Sequence, residues 1–198
     1  NIQNYKNVTG IAYKDNGEVI KTSPRVYEKS RDEYGLPAYE LFDMEPYFHK
    51  LPFQYEGWGG WLMNRDLSGV RSIDMITGVG CPFQCKFCSR SVEKPRLRSI
   101  DMVVKDIKYC QEKYGIGAVR FMDDLLIVNE KRTIELCEKL KPLNVLWSGQ
   151  SRTNVMTDKM AKIMKDAGCI GVGYGLESGS DRMLLAMKKK VKVIHHET

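Results

Sequence analysis

No apolar run in this chain approaches the roughly 20 residues that a membrane-spanning helix needs. The opening Asn1-Ile-Gln-Asn-Tyr-Lys also lacks the apolar core of a secretory signal. A membrane span is therefore not expected, and a cytoplasmic location is. A disulfide framework is missing too: six cysteines occur in 198 residues and three are bunched in one short stretch, where small secreted domains spread paired cysteines along the chain. A reducing compartment fits that usage. Histidine is scarce, and His49, His195 and His196 lie far in sequence from the bunched cysteines. No strong charge excess is present: the net charge of +6, with 42% hydrophobic residues, excludes wholesale disorder. It also leaves nucleic acid a disfavoured partner. The basic runs Lys94-Pro-Arg-Leu-Arg98 and Lys188-Lys-Lys-Val-Lys192 serve equally well as solvated faces.

What the chain does have is Cys81-Pro-Phe-Gln-Cys85-Lys-Phe-Cys88. Three thiols spaced C-x3-C-x2-C can grip one metal centre from a single loop. They are one ligand short of a closed tetrahedral zinc site. Cys110 and Cys137 fall on apolar helix faces and Cys169 opens a strand, so all three read as packing residues and none is an evident fourth ligand. A non-catalytic zinc-binding module stays open as an alternative. An iron–sulfur cubane on three cysteines, by contrast, leaves one iron open for a substrate or cofactor.

Around this loop the pattern is regular. Val8 to Tyr13 and Glu18 to Thr22 alternate like strands about the turn Asp15-Asn16-Gly17, which predicts a β-hairpin. Residues 23 to 71 are rich in Pro, Gly and aromatics and predict an irregular arm, with a helical turn near Tyr39 to Met44 and with Trp58 and Trp61 as core residues. From there strand-like runs recur at Ile73 to Val79, Ala118 to Met122, Val145 to Ser148 and Ile170 to Tyr174. Between them lie amphipathic helices capped by Ser99, Asn129 and Thr157, the third closed by Gly168, with a fourth starting near Ser180. Alternating strands and helices predict an α/β fold of parallel βα units. In such folds chemistry gathers beyond the carboxyl ends of the strands. The three cysteines, Asp123-Asp124, Gln150 to Arg152, and Glu177-Ser178 all fall there.

The triad, with Phe87 just before its last cysteine, resembles the motif of the radical S-adenosylmethionine (radical SAM) superfamily. The resemblance implies a [4Fe-4S] cluster on Cys81, Cys85 and Cys88 whose open iron chelates the amino and carboxylate groups of S-adenosylmethionine. It also implies reductive cleavage of that cofactor to methionine and a 5′-deoxyadenosyl radical. Phe121-Met-Asp-Asp124 resembles the segment that receives the aminoacyl ammonium, and Gln150-Ser-Arg152 the basic position near the cofactor carboxylate. Gly173-Tyr-Gly-Leu-Glu177-Ser178 resembles a segment that approaches the ribose. Helix-start acids, a surface arginine and a helix N-cap are the plainer readings of the same residues.

The likeness spans about residues 70 to 190 and implies a partial (β/α) radical SAM barrel, about four of six βα units. It is preceded by the hairpin and arm, with the division placed at 1–70 and 71–198. The arm Gly35-Leu-Pro-Ala-Tyr-Glu-Leu-Phe-Asp-Met44 is similar to the linker of the cobalamin-associated branch, which implies cobalamin as a second cofactor. Because no Asp-x-His-x-x-Gly occurs in the chain, a corrinoid-binding domain is expected upstream of Asn1. The chain is thus expected to be a fragment of an enzyme acting on a small-molecule substrate by methylation or rearrangement, with an electron donor such as flavodoxin or ferredoxin. A tRNA-modifying methylthiotransferase-like enzyme is the alternative, although no RNA module is visible.

Overall fold

A computed structural model describes residues 5–26, 31–50, 67, 69–89, 92 and 94–196. The hairpin forms as β1 (Ala12–Asp15) and β2 (Glu18–Lys21), antiparallel across four facing pairs. Its turn residues Asn16 and Gly17 have φ of 48° and 90°, left-handed values that match the twist of the two strands. The first strand is shorter than predicted because the Thr22 hydroxyl engages the backbone of Ile11, whose N–H donates to it at 3.1 Å.

The arm is more ordered than its composition predicts. Short 3-10 turns at Tyr39–Leu41 and Glu45–Tyr47 lead into β3 (Phe48–Lys50), which pairs antiparallel with β4 (Arg71–Met75). Three residues are too few to display a period of two, so this strand left no trace in the sequence pattern. Tyr39 anchors the arm: its ring stacks on Tyr109 and its hydroxyl donates to buried Asp106 at 2.7 Å. Trp58 and Trp61 lie outside the described residues.

The predicted strand Ile73 to Val79 breaks in two. After β4 the chain turns away at Ile76 and Thr77, and β5 (Gly78–Val79) pairs with β6 (Arg96–Leu97) in a separate ribbon. Two contacts drive the break. The Asp123 carboxylate takes both the backbone N–H and the hydroxyl of Thr77, at 3.0 and 2.7 Å. Gly78 packs so closely on Leu97 that an added Cβ would stand 2.4 Å from its side chain.

Among the described residues the main sheet has the order β3, β4, β7 (Ala118–Phe121), β8 (Leu146–Ser151), β9 (Cys169–Tyr174), and the last four strands are parallel. Each new strand adds beside its predecessor, as in a barrel, whereas a doubly wound sheet reverses direction. Helices α1 (Ile100–Tyr114), α2 (Glu130–Leu140) and α3 (Asp158–Asp166) make the crossovers, and α4 (Asp181–Ala186) follows β9. The predicted caps form: Ser99, Asn129 and Thr157 accept from the backbone N–H of Met102, Arg132 and Met160. Each satisfies a donor that the first helical turn leaves unpaired.

The core lies between the helices and one face of the sheet, where Ile73, Val119, Phe121 and Trp147 meet Ile107 of α1, Leu140 of α2 and Met164 of α3. Trp147 is fully buried, and its indole N–H donates to the Ala167 carbonyl at 2.9 Å. Cys110 and Cys137 are buried in this layer, as their apolar helix positions predict, while Cys169 is half-buried. β8 runs three residues past its predicted end. Gly149 lets Leu126 lie against the strand, since a Cβ there would stand 2.3 Å from the leucine side chain. The backbone N–H groups of Leu126 and Ile127 then donate to the Gln150 carbonyl, both at 3.1 Å. Among the described residues no helix is long and apolar enough to cross a membrane.

Candidate functional site

The cysteine loop starts where β5 stops. Gly80, at φ 89°, turns the chain, and its N–H donates to Asp124 at 2.8 Å. The Cys88 N–H donates to the Cys85 carbonyl at 3.3 Å, and the Lys86 N–H to the Met187 carbonyl beyond α4 at 2.9 Å. Cys81 and Cys85 are half-buried and Cys88 is exposed. All three line one cavity of about 230 Å³, together with Phe87, Asp124, Gln150, Arg152, Glu177 and Lys189. Its walls come from the cysteine loop and from the carboxyl ends of β7, β8 and β9.

Burial pushes the Cys81 thiol above its ordinary value, opposed by a hydrogen bond from the Phe83 backbone and by the Arg152 charge. Arg152 is far from a surface residue. It is 5% exposed, its guanidinium stacks 3.8 Å above the Phe83 ring, and its Nη1 lies 3.7 Å from Cys85 Sγ. The stacked guanidinium thus brings a positive charge beside the cysteine loop.

The acidic pair divides. Asp124 faces the cavity. Asp123, expected beside it at the cofactor, is 4% exposed, has both oxygens engaged by Thr77 and is not among the cavity-lining residues. Burial raises its carboxyl above the usual range, against the pull of the Thr77 hydrogen bonds. Ser178 also stands off the cavity, its hydroxyl accepting from the Ser180 N–H at 3.1 Å ahead of α4. Gln150 reaches the wall from within β8, not from the loop after it.

Glu177 lines the cavity in a left-handed conformation, φ 65°, and its Oε1 accepts from Lys189 Nζ at 2.9 Å. Lys189 was hidden in the sequence, because the middle lysine of a basic run carries no mark of burial. Ser151, inside the segment Gln150 to Arg152, lines the cavity as well.

Three thiols on one cavity wall are a donor set that iron–sulfur clusters use.

A family model described as the radical SAM superfamily matches residues 75–196, more than half the chain. The chain belongs to the radical SAM superfamily. This radical SAM chain is 33% identical over 184 residues to an uncharacterized methyltransferase of Pyrococcus horikoshii, covering 90% of the chain and 36% of that protein. It is 26% identical over 204 residues to the anaerobic magnesium-protoporphyrin IX monomethyl ester cyclase of Cereibacter sphaeroides, covering 97% of the chain and 30% of the cyclase. The chain thus spans about a third of the length of these relatives. Among solved structures, the cobalamin-dependent S-adenosylmethionine radical enzyme OxsB, bound to aqua-cobalamin and S-adenosylmethionine, aligns with TM-score 0.70 at 19% identity, over 96% of this chain and 27% of its own. That likeness shows the fold, and it confirms the α/β architecture with a parallel sheet.

Proposed function

We propose that this chain is the cofactor-binding part of a radical SAM enzyme that transfers methyl groups or rearranges a small-molecule substrate with the help of cobalamin. The observation that carries the reading is the cavity itself, where three cysteine thiols meet Asp124, Gln150, Arg152 and Glu177 drawn from three other strand ends. Cys81, Cys85 and Cys88 would hold a [4Fe-4S] cluster, and Phe87 would shield it at the cavity lip. When bound, the cluster supplies an open iron and one electron, taken from a donor such as flavodoxin or ferredoxin, to split the sulfonium of S-adenosylmethionine into methionine and a 5′-deoxyadenosyl radical.

The protein's own part is binding and orientation. Asp124 offers a carboxylate to the cofactor's ammonium, Arg152 a guanidinium near its carboxylate, and Glu177 an acceptor for ribose hydroxyls. The cobalamin and methyl-transfer components draw support from relatives named as methyltransferases and from the named ligands of OxsB.

Anaerobic reconstitution of the full-length protein tests the reading. The expected outcome is bound iron and sulfide with visible absorbance, and 5′-deoxyadenosine or a methylated product from S-adenosylmethionine under reduction. Stoichiometric zinc with no iron after anaerobic purification would sink it.

A further inference from the structure

Beyond α4 the chain makes a turn that touches three walls of the cavity at once. The Met187 carbonyl accepts from the N–H of Lys86, inside the cysteine loop, at 2.9 Å. The Lys189 carbonyl accepts from Arg152 Nη2, at the end of β8, and the Lys190 carbonyl lies 3.5 Å from the Asn154 amide nitrogen. The Lys189 ammonium donates to Glu177, after β9, at 2.9 Å and stands 5.6 Å from the Phe87 ring centroid.

Two features separate this turn from a solvated basic run. Lys188 and Lys190 are exposed, whereas Lys189 between them is 7% exposed. Lys188 and Lys190 also hold left-handed backbone, φ 54° and 56°, a conformation that side chains with a Cβ adopt only when surrounding contacts over-determine it. Those two residues reverse the chain on either side of Lys189 and turn it inward. There is little slack around the ammonium: a Cβ added at Gly175 would stand 2.9 Å from Lys189 Nζ and 2.4 Å from Glu177 Oε1.

The charges give the turn a role. Three thiols, Asp124 and Glu177 place acidic groups around one small cavity, and Arg152 and Lys189 are the cations among its lining residues. Within this pair the Lys189 side chain is 8% exposed and the Glu177 side chain 33%, so the ammonium is the charge that needs a fixed partner, and the ion pair it makes holds Glu177 in place. We propose that Lys189 is a positioning residue for S-adenosylmethionine: its ammonium holds Glu177, and its carbonyl holds Arg152, in the orientations that receive the cofactor. The inference rests on the reading of this cavity as the cofactor site. It adds a cavity-lining residue whose role is to set two side chains that bind.

The test uses anaerobically reconstituted full-length protein carrying Lys189→Met, Glu177→Gln or both, with iron content, thermal melting and S-adenosylmethionine affinity measured on each. Lys189→Met is expected to keep its iron and lose affinity by about tenfold, with Glu177→Gln losing a similar factor and the double variant losing about the same tenfold in total, because contacting residues are non-additive. Wild-type affinity in Lys189→Met, or losses that multiply independently, would overturn the proposal. If Lys189→Met fails to fold, Lys189→Arg, which keeps the cation, decides: fold and affinity restored together support the proposal, and fold restored without affinity overturns it. If the wild-type protein takes up no cluster or binds no S-adenosylmethionine, the cofactor reading fails, and this inference with it.

Discussion

The guanidinium of Arg152 lies 3.7 Å from the thiol of Cys85, although the two residues are 67 positions apart in sequence. That contact joins the cysteine loop to the end of β8, and the same side chain continues to the Lys189 carbonyl. An ammonium on a flexible stem cannot stack on Phe83 and reach both partners as a planar fork does. Arg152→Lys is therefore expected to behave as a severe change, losing about tenfold in S-adenosylmethionine affinity while preserving the positive charge. Titration of the cofactor into cluster-loaded protein checks this, and an affinity within a factor of two of wild type would refute it.

Asp123 and Asp124 provide an internal control. Asp123→Ala leaves the Thr77 N–H and hydroxyl without partners in a buried place, so it is expected to cost about 1–3 kcal/mol of stability. Asp124→Asn is expected to leave melting nearly unchanged and to weaken cofactor binding. Denaturant unfolding and binding measured side by side distinguish the two roles, and the opposite pattern would reverse the assignment.

The arm is fastened by charge. Asp106, whose side chain is 2% exposed, pairs with Arg98 at 2.7 Å and accepts from Tyr39. Asp106→Ala leaves a nearly buried guanidinium unpaired and is expected to destabilise the protein by about 3–5 kcal/mol. Tyr39→Phe, which removes a single hydrogen bond to a charged acceptor, is expected to cost about 1.5–3 kcal/mol. Equal effects from the two changes would show that the Arg98 pair contributes nothing beyond the tyrosine.

The packed thiols set an alkaline limit. Burial pushes Cys110 and Cys137 each up to about 11, above the value near 8.5 of an unfolded thiol. Both favour the neutral form in the fold, so the stability they contribute is fully present below about pH 8.5 and is lost as pH rises through 11. Melting temperature is expected to fall across that window, and less steeply in Cys137→Ala. At pH 8 exposed Cys88 should alkylate quickly in the cluster-free protein while Cys110 and Cys137 stay protected. Comparable rates at all three would contradict the packing shown by the fold.

Helix starts, the hairpin and the cluster loop were legible in the sequence because each is a local event. Ser99, Asn129 and Thr157 cap within their own first turn, Asn16-Gly17 selects its turn through its own backbone, and Cys81, Cys85 and Cys88 share one loop. β3 was not legible, being three residues long and held in place by β4. The break at Thr77 was equally hidden, since the sequence Ile73 to Val79 is apolar enough for one strand and the contacts that turn it aside come from Asp123, brought over by β7, and from Leu97 of β6.

By itself the sequence determined the alternation of strands and helices and the loop that carries the three thiols, because side-chain period, capping and ligand spacing act between near neighbours. The tertiary structure decided which of two adjacent aspartates faces the cavity, that Arg152 is buried against Cys85, and that one lysine of three turns inward to Glu177. Those outcomes depend on which distant backbone groups, charges and rings arrive at the same place, and chain folding alone brings them together.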